Sequence, residues 1–289
     1  MSIHDKFKRF CGSLAIASRS TIAVRYKAIT KRLNADFWDI DSETRNSLYV
    51  GSYGRGTASS GFSDVDMIMS LPWSVYSRFD GYESNGQSAL LQAVARSMKK
   101  TYSTSSVGGD GQVVVVSFTD GIRFEVVPAF EFDDGSFYFP DSNGGGRWRS
   151  TNPRAEIRAI ATRDGSTNGN LKNLAEMVRS WRDTHNVYMG GLLVDTFCYR
   201  FIGDWEHREN GYTYYDWMTR DFFKYLSGLD DDQAYWLAPG SNQQVTRKGK
   251  FARKAKKAYD LSLEAIKHEN DGFNWSANQK WKEIYGYAF

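Results

Sequence analysis

Residues Gly51–Ser70, GSYGRGTASSGFSDVDMIMS, are the stretch from which the fold can be worked out. The stretch opens on a Gly-Ser step in a glycine-rich turn, Gly51 to Gly56, and runs into an apolar segment that carries two acids, Asp64 and Asp66. Side chains alternate across a strand, so acids at i and i+2 share one face while Val65 and Met67 take the other. Two carboxylates placed side by side repel unless a cation sits between them. Magnesium meets that need, because it takes hard oxygen ligands and accepts substrate phosphates beside one or two carboxylates. Backbone N–H groups of a glycine-rich turn can hold phosphate oxygens. The residues alone predict a metal-dependent nucleotide site.

Outward from this stretch, Leu48-Tyr49-Val50 reads as a short strand entering the turn. Before it, Thr21 to Trp38 carries Ile22, Tyr26, Ile29, Leu33 and Phe37 at the spacing of a helix face. After it, the Val65–Leu71 strand stops at Pro72. Ser88 to Lys100 reads as a helix, Gly108 to Gly111 as a turn and Val113 to Phe118 as a strand. Asp120-Gly121 signals a hairpin into a strand over Ile122–Phe130. Glu125 lies inside that last strand, where an acid is costly to bury without a partner. If this strand lies beside the Asp64/Asp66 strand, Glu125 becomes a third ligand. Three carboxylates around two magnesium ions would bridge a triphosphate and help ionise an attacking hydroxyl.

Asp133 to Pro153 is rich in turn residues and reads as a loop or a connection between lobes. Beyond it the pattern turns helical. Leu171, Leu174, Val178 and Trp181 form one stripe, Leu192 to Phe201 an apolar helix, and Tyr215, Met218, Phe222 and Leu226 another stripe. Lys250 to Asn270 reads as the final helix. The expected class is α+β: residues 1–150 as a strand-rich core with an N-terminal helix, and 151–289 as a helical lobe.

Composition narrows the function further. The net charge of the 289 residues is +3, too weak a field to argue for general nucleic-acid binding. The basic run Arg247–Lys257 (RKGKFARKAKK) reads as a solvated helix face in preference to a nucleic-acid footprint. Cys11 and Cys198 stand far apart and the chain has four histidines, so a zinc site is not expected, and two buried thiols in a reducing compartment are. No stretch approaches the roughly 20 apolar residues of a membrane span, and MSIHDKFKRF lacks the apolar segment of a signal peptide. A cytoplasmic monomer is the expectation.

The set Val50-Gly51-Ser52, Asp64-Val65-Asp66-Met67 and Glu125 resembles the motif of the DNA polymerase β-type nucleotidyltransferases. More narrowly, the chain is similar to the CD-NTases, bacterial second-messenger synthetases of antiphage (CBASS) defence related to cyclic GMP-AMP synthase. The helix LKNLAEMVRSW (Leu171–Trp181), the WRSTNP segment (Trp148–Pro153) and Leu237-Ala238-Pro239-Gly240-Ser241-Asn242 carry the narrower resemblance.

This resemblance implies a polymerase β-like core with a C-terminal helical lobe. The implied enzyme takes nucleoside triphosphates, ATP among them, and attacks an α-phosphate with a ribose hydroxyl. It releases pyrophosphate and joins two or three nucleotides into a ring read by a downstream effector. Gly51 and Ser52 would bind phosphates, and Asp64, Asp66 and Glu125 would hold two Mg2+ ions, for which Mn2+ could substitute. Arg179 stands where relatives often carry a phosphate-binding lysine, and Gly190 or Gly191 where they often carry a serine. Glu125 is one methylene longer than the aspartate many relatives have. Lys172 is expected to face solvent, and Trp148 either stacks on a base or packs under the connector. The competing readings are a transferase acting on RNA or protein, a linear oligoadenylate synthetase stimulated by double-stranded RNA, and a nucleotide-binding sensor without chemistry.

Overall fold

Alternating apolar residues make a sheet and 3.6-residue stripes make its helices. The computed structural model of the protein follows both patterns over residues 1–61 and 64–289. Phe62 and Ser63 of the opening stretch lie outside the described residues. The chain forms two compact units, residues 17–55 with 61–157, and residues 1–16 with 56–60 and 158–289. The helix α1 (Ile3–Ser13) opens the chain and belongs to the second of these.

The sheet unit contains α2 (Arg19–Phe37), β1 (Ser47–Tyr49), the single-turn helix α3 (Gly51–Arg55), β2 (Asp64–Ser70), α4 (Trp73–Asp80) and α5 (Gly86–Lys99). It continues with β3 (Ser106–Asp110), β4 (Val113–Ser117), β5 (Arg123–Glu131), β6 (Phe137–Asp141) and β7 (Arg147–Thr151). Strand order is β1-β2-β5-β4-β3, with β6 paired to the end of β5 and β7 to β6. β2 and β5 run parallel, and the other pairs are antiparallel. Val65, Met67, Phe124 and Val126 are fully buried on one face. On that side α5 packs against β3, β4 and β6, burying Leu90 and Val94. The residues alternating with them face the other way, and that face carries the acids.

Two expectations fail within this unit. Gly108 and Gly109 lie inside β3, and the turn is made by Gly111 at φ +59°. A Cβ on Gly109 would lie 3.3 Å from the Leu91 Cβ of α5, so this glycine marks a close approach of strand to helix. Residues 133–153 hold the β6–β7 hairpin, turned by Ser142 to Gly146, in place of a plain loop.

The second unit is helical. After α6 (Pro153–Gly165), which starts in the sheet unit, come α7 (Asn170–Thr184), α8 (Gly191–Asp204) and α9 (Tyr215–Ser227), then the ribbon β8 (Tyr235–Leu237) with β9 (Gln244–Thr246). α10 (Ala252–Asn270) is not the last helix, because α11 (Asn274–Tyr285) follows it. The predicted stripes are the buried ones: Leu171, Leu174, Val178 and Trp181 on α7, and Tyr215, Met218, Phe222 and Leu226 on α9. Cys11 and Cys198 are free and buried here.

The helical unit takes in residues 1–16 and 56–60 besides residues 158–289. α1 joins the helical unit because Phe7 and Phe10 are buried in it, Phe7 against Trp281 at 5.3 Å and Phe10 against Tyr285 at 4.8 Å between ring centroids. Thr57 is pinned there by its hydroxyl, which donates to Asp195 at 3.0 Å.

Candidate active site

The glycine-rich turn is built around Asp66. Val50 N–H donates to the Asp66 carbonyl at 2.9 Å, and Gly54 N–H to the Val50 carbonyl at 2.8 Å. Gly51 sits at φ +60°, and a Cβ there would lie 1.8 Å from Asp66 Oδ2. Only a residue without a side chain lets the turn lie against the carboxylate. The Gly-Ser step predicted as a phosphate loop and the first acidic strand thus form one local structure, with Ser52 at its rim.

Register brings the acids together. Asp66 is directly opposite Glu125 in the parallel β2–β5 pair, and Asp64 is opposite Arg123. All four lie on the face alternating with the buried core residues. Arg123 Nε is 3.0 Å from Asp64 Oδ1, and its guanidinium also pairs with Glu125. Asp64 Oδ1 and Arg123 Nε are shielded from solvent and lack the alignment of a hydrogen bond. Burial, then the charges of Glu125 and Asp64, push the Asp66 carboxyl up to about 6, against the opposing pull of Arg55. Arg55 is itself buried and paired with Glu156 at 3.3 Å.

Among the described residues no three His, Cys, Asp or Glu side chains converge on a ready metal position. The set still fits a hard divalent cation. It offers oxygen donors only, one of them is shielded from solvent without a hydrogen bond, and burial together with repulsion from Glu125 and Asp64 holds Asp66 in a state a cation would relieve. A guanidinium partly fills that electrostatic need.

Two arginines escaped the sequence reading. Arg123 was legible, since the i, i+2 rule that joined Asp64 to Asp66 also joins Arg123 to Glu125. Arg55 carried no such signal, because its partner is 101 residues away.

Arg179, expected to contact phosphate, lies on α7. It is buried, ion-paired with Asp195 at 2.8 Å, and donates to the carbonyls of Ala175 and Gly191. Asp195 also accepts from the Thr57 hydroxyl. Gly190 caps α8 in extended backbone conformation and Gly191 begins the helix. Lys172 is only a third exposed, pairs with Asp164 at 3.3 Å, and passes close to Gly56. Trp148 is structural: its indole N–H donates to Asp80 at 2.8 Å and its ring packs on Tyr76 and Tyr138. In the basic run, Arg247 pairs with Asp231, Lys256 with Asp260, and Lys254 donates to the carbonyls of His185 and Asn186.

A glycine turn against a paired-acid strand, with a third acid in register on a parallel neighbour, defines a polymerase β-like nucleotidyltransferase core. The sequence profile of the Second Messenger Oligonucleotide or Dinucleotide Synthetase domain matches residues 1–164, and the chain belongs to that family. It is 22% identical over 180 residues to a probable cyclic nucleotide synthase of Bacillus cereus (strain VD146), a match covering 57% of this chain and 51% of the relative. The chain thus spans about half the length of the curated relative it matches. Its fold is that of the CD-NTases. Escherichia coli MS115-1 CdnC, solved with ATP, superposes with a TM-score of 0.70 at 15% identity, over 99% of this chain and 98% of that one. Bradyrhizobium diazoefficiens CdnG, solved with GTP, gives 0.69 at 11% identity over 97% and 94%. Among the described residues no helix is long and apolar enough to cross a membrane.

Proposed function

We propose that the chain joins nucleoside triphosphates into a cyclic di- or trinucleotide with release of pyrophosphate, as a metal-dependent nucleotidyltransferase of antiphage signalling. The observation that carries this reading is the pairing of Asp66 with Glu125 in register, with Asp64 on the same face and Gly51 packed on Asp66. Asp64, Asp66 and Glu125 would hold two Mg2+ ions. When bound, these supply charge neutralisation of the triphosphate and acidify the attacking hydroxyl.

The chain's own residues do the rest. Gly51, lacking a side chain, lets the turn lie against Asp66, and Gly51 and Ser52 would meet the phosphate oxygens at that turn. A ribose hydroxyl attacks the α-phosphorus, the bond to the bridging oxygen breaks, and pyrophosphate leaves. The hydroxyl proton passes to a carboxylate of this face, Glu125, directly opposite Asp66, being the candidate. A second transfer of the same kind closes the ring. Two relatives solved with ATP and with GTP support nucleoside triphosphates as substrates. The product would act through a separate effector in the cytoplasm.

Incubating the protein with labelled ATP, GTP, CTP and UTP plus Mg2+ tests the reading. A small phosphatase-resistant product is expected, and it disappears in Asp64→Asn/Asp66→Asn, which stays folded. A phosphatase-sensitive ladder, labelled RNA or protein, or turnover without a divalent ion would overturn it.

A further inference from the structure

Arg123 is oddly placed for a surface arginine. Its Cα is opposite Asp64 in the β2–β5 register, and it precedes Glu125 by two on the same face. Its guanidinium reaches both acids at once, Nε toward Asp64 Oδ1 at 3.0 Å and Nη2 onto Glu125 Oε1. A guanidinium is permanently charged and presents a planar fork that matches carboxylate oxygens. The oxygens it occupies are the ones that the proposed reaction assigns to metal. Its side chain is 42% exposed, so it can leave without disturbing the core. The Asp64 contact lacks hydrogen-bond alignment, so the hold there is weaker than on Glu125, which accepts a hydrogen bond from the guanidinium.

We propose that Arg123 is a resident counter-ion of the Asp64/Asp66/Glu125 face and competes with the divalent cation for Asp64 and Glu125. The inference rests on the reading of these acids as metal ligands. Two consequences follow from elementary electrostatics. A cation on the same oxygens opposes a second one, by occupying lone pairs and by repulsion at close range. Without metal, the same guanidinium relieves repulsion among the three acids and supports the fold. Arg123 therefore lowers metal affinity while stabilising the metal-free protein.

Mn2+ is the probe, with binding read from the loss of the free-ion electron paramagnetic resonance signal and unfolding followed in parallel. Arg123→Gln is expected to bind Mn2+ roughly tenfold more tightly than the wild type and to unfold at lower temperature without metal. Arg123→Lys, which keeps the charge without the fork, should fall between them. An arginine that served only as structural support would lower the unfolding temperature and leave Mn2+ affinity where it was. Equal or weaker Mn2+ binding by Arg123→Gln, beside a wild type that binds, overturns the inference alone. A wild type that binds no Mn2+, or Asp64→Asn/Asp66→Asn binding it as well as the wild type, overturns the metal reading and this inference with it.

Discussion

Gly51→Ala is the sharpest test of how the site is assembled. The added methyl group would have to occupy a point 1.8 Å from Asp66 Oδ2, 2.6 Å from its Cγ and 2.9 Å from its Cβ. Backbone at φ +60° adds about 1–2 kcal/mol for any residue with a Cβ. Relief of the overlap by a shifted carboxylate or turn adds about 1–3 kcal/mol. The summed cost is about 2–5 kcal/mol of unfolding free energy. The easiest relief is to swing the Asp66 carboxylate, which removes it from its place opposite Glu125. Misplacement by about 1 Å can cost roughly 10²-fold in rate, so turnover should fall by about that factor even at temperatures where the variant is folded. Guanidinium denaturation and pyrophosphate release measure the two effects separately. Gly12→Ala provides the control: it lies in α1 with nothing within 4 Å of an added Cβ, so stability should hold or rise by about 0.5–1 kcal/mol. A Gly51→Ala protein as stable as the wild type and turning over within about twofold of it would refute the packing of the turn on Asp66.

Two further outcomes concern the helical unit. Arg179→Met leaves Asp195 buried without its cation and should cost about 3–5 kcal/mol in a denaturant titration; a loss below about 1 kcal/mol would show the ion pair to be dispensable. Burial pushes the Asp216 carboxyl up from 3.8 to about 6, and its Oδ1 has no hydrogen-bond partner. With the folded value above the unfolded one, the native state holds this proton more tightly, so stability tied to this group falls as pH rises from about 4 to about 6 and stays lower above that. Asp216→Asn should match the wild type near pH 4 and exceed it by up to about 3 kcal/mol above pH 6. A stability difference that does not vary with pH would contradict the assignment.

The parts of the fold that sequence revealed are those governed by near neighbours. Strand alternation put Asp64 and Asp66 on one face, and helix stripes located α2, α5, α7, α8, α9 and α10. The placement of Glu125 beside Asp66 needed one guess, that β5 lies next to β2, and the parallel register supports it. What was hidden depended on distant partners. Gly108 and Gly109 look like a turn until β4 supplies a ladder and α5 a surface to approach. The 133–153 segment reads as loop because its strands β6 and β7 are short and its turn is rich in glycine. Arg179 illustrates the limit in the site itself. Its position on the helix was read correctly, yet nothing local reveals that Asp195, 16 residues on, takes up its charge.

The burial of α1 has a consequence for synthesis. Phe7 and Phe10 leave the ribosome roughly 270 residues ahead of their partners Trp281, Tyr285 and Phe289. At roughly 5–20 residues per second, the wait is on the order of tens of seconds. Throughout that time a nascent helix carries two uncovered phenylalanines, while the sheet unit, whose residues all lie before 158, can already have closed. The helical unit is thus the part of the nascent chain most in need of a chaperone's cover.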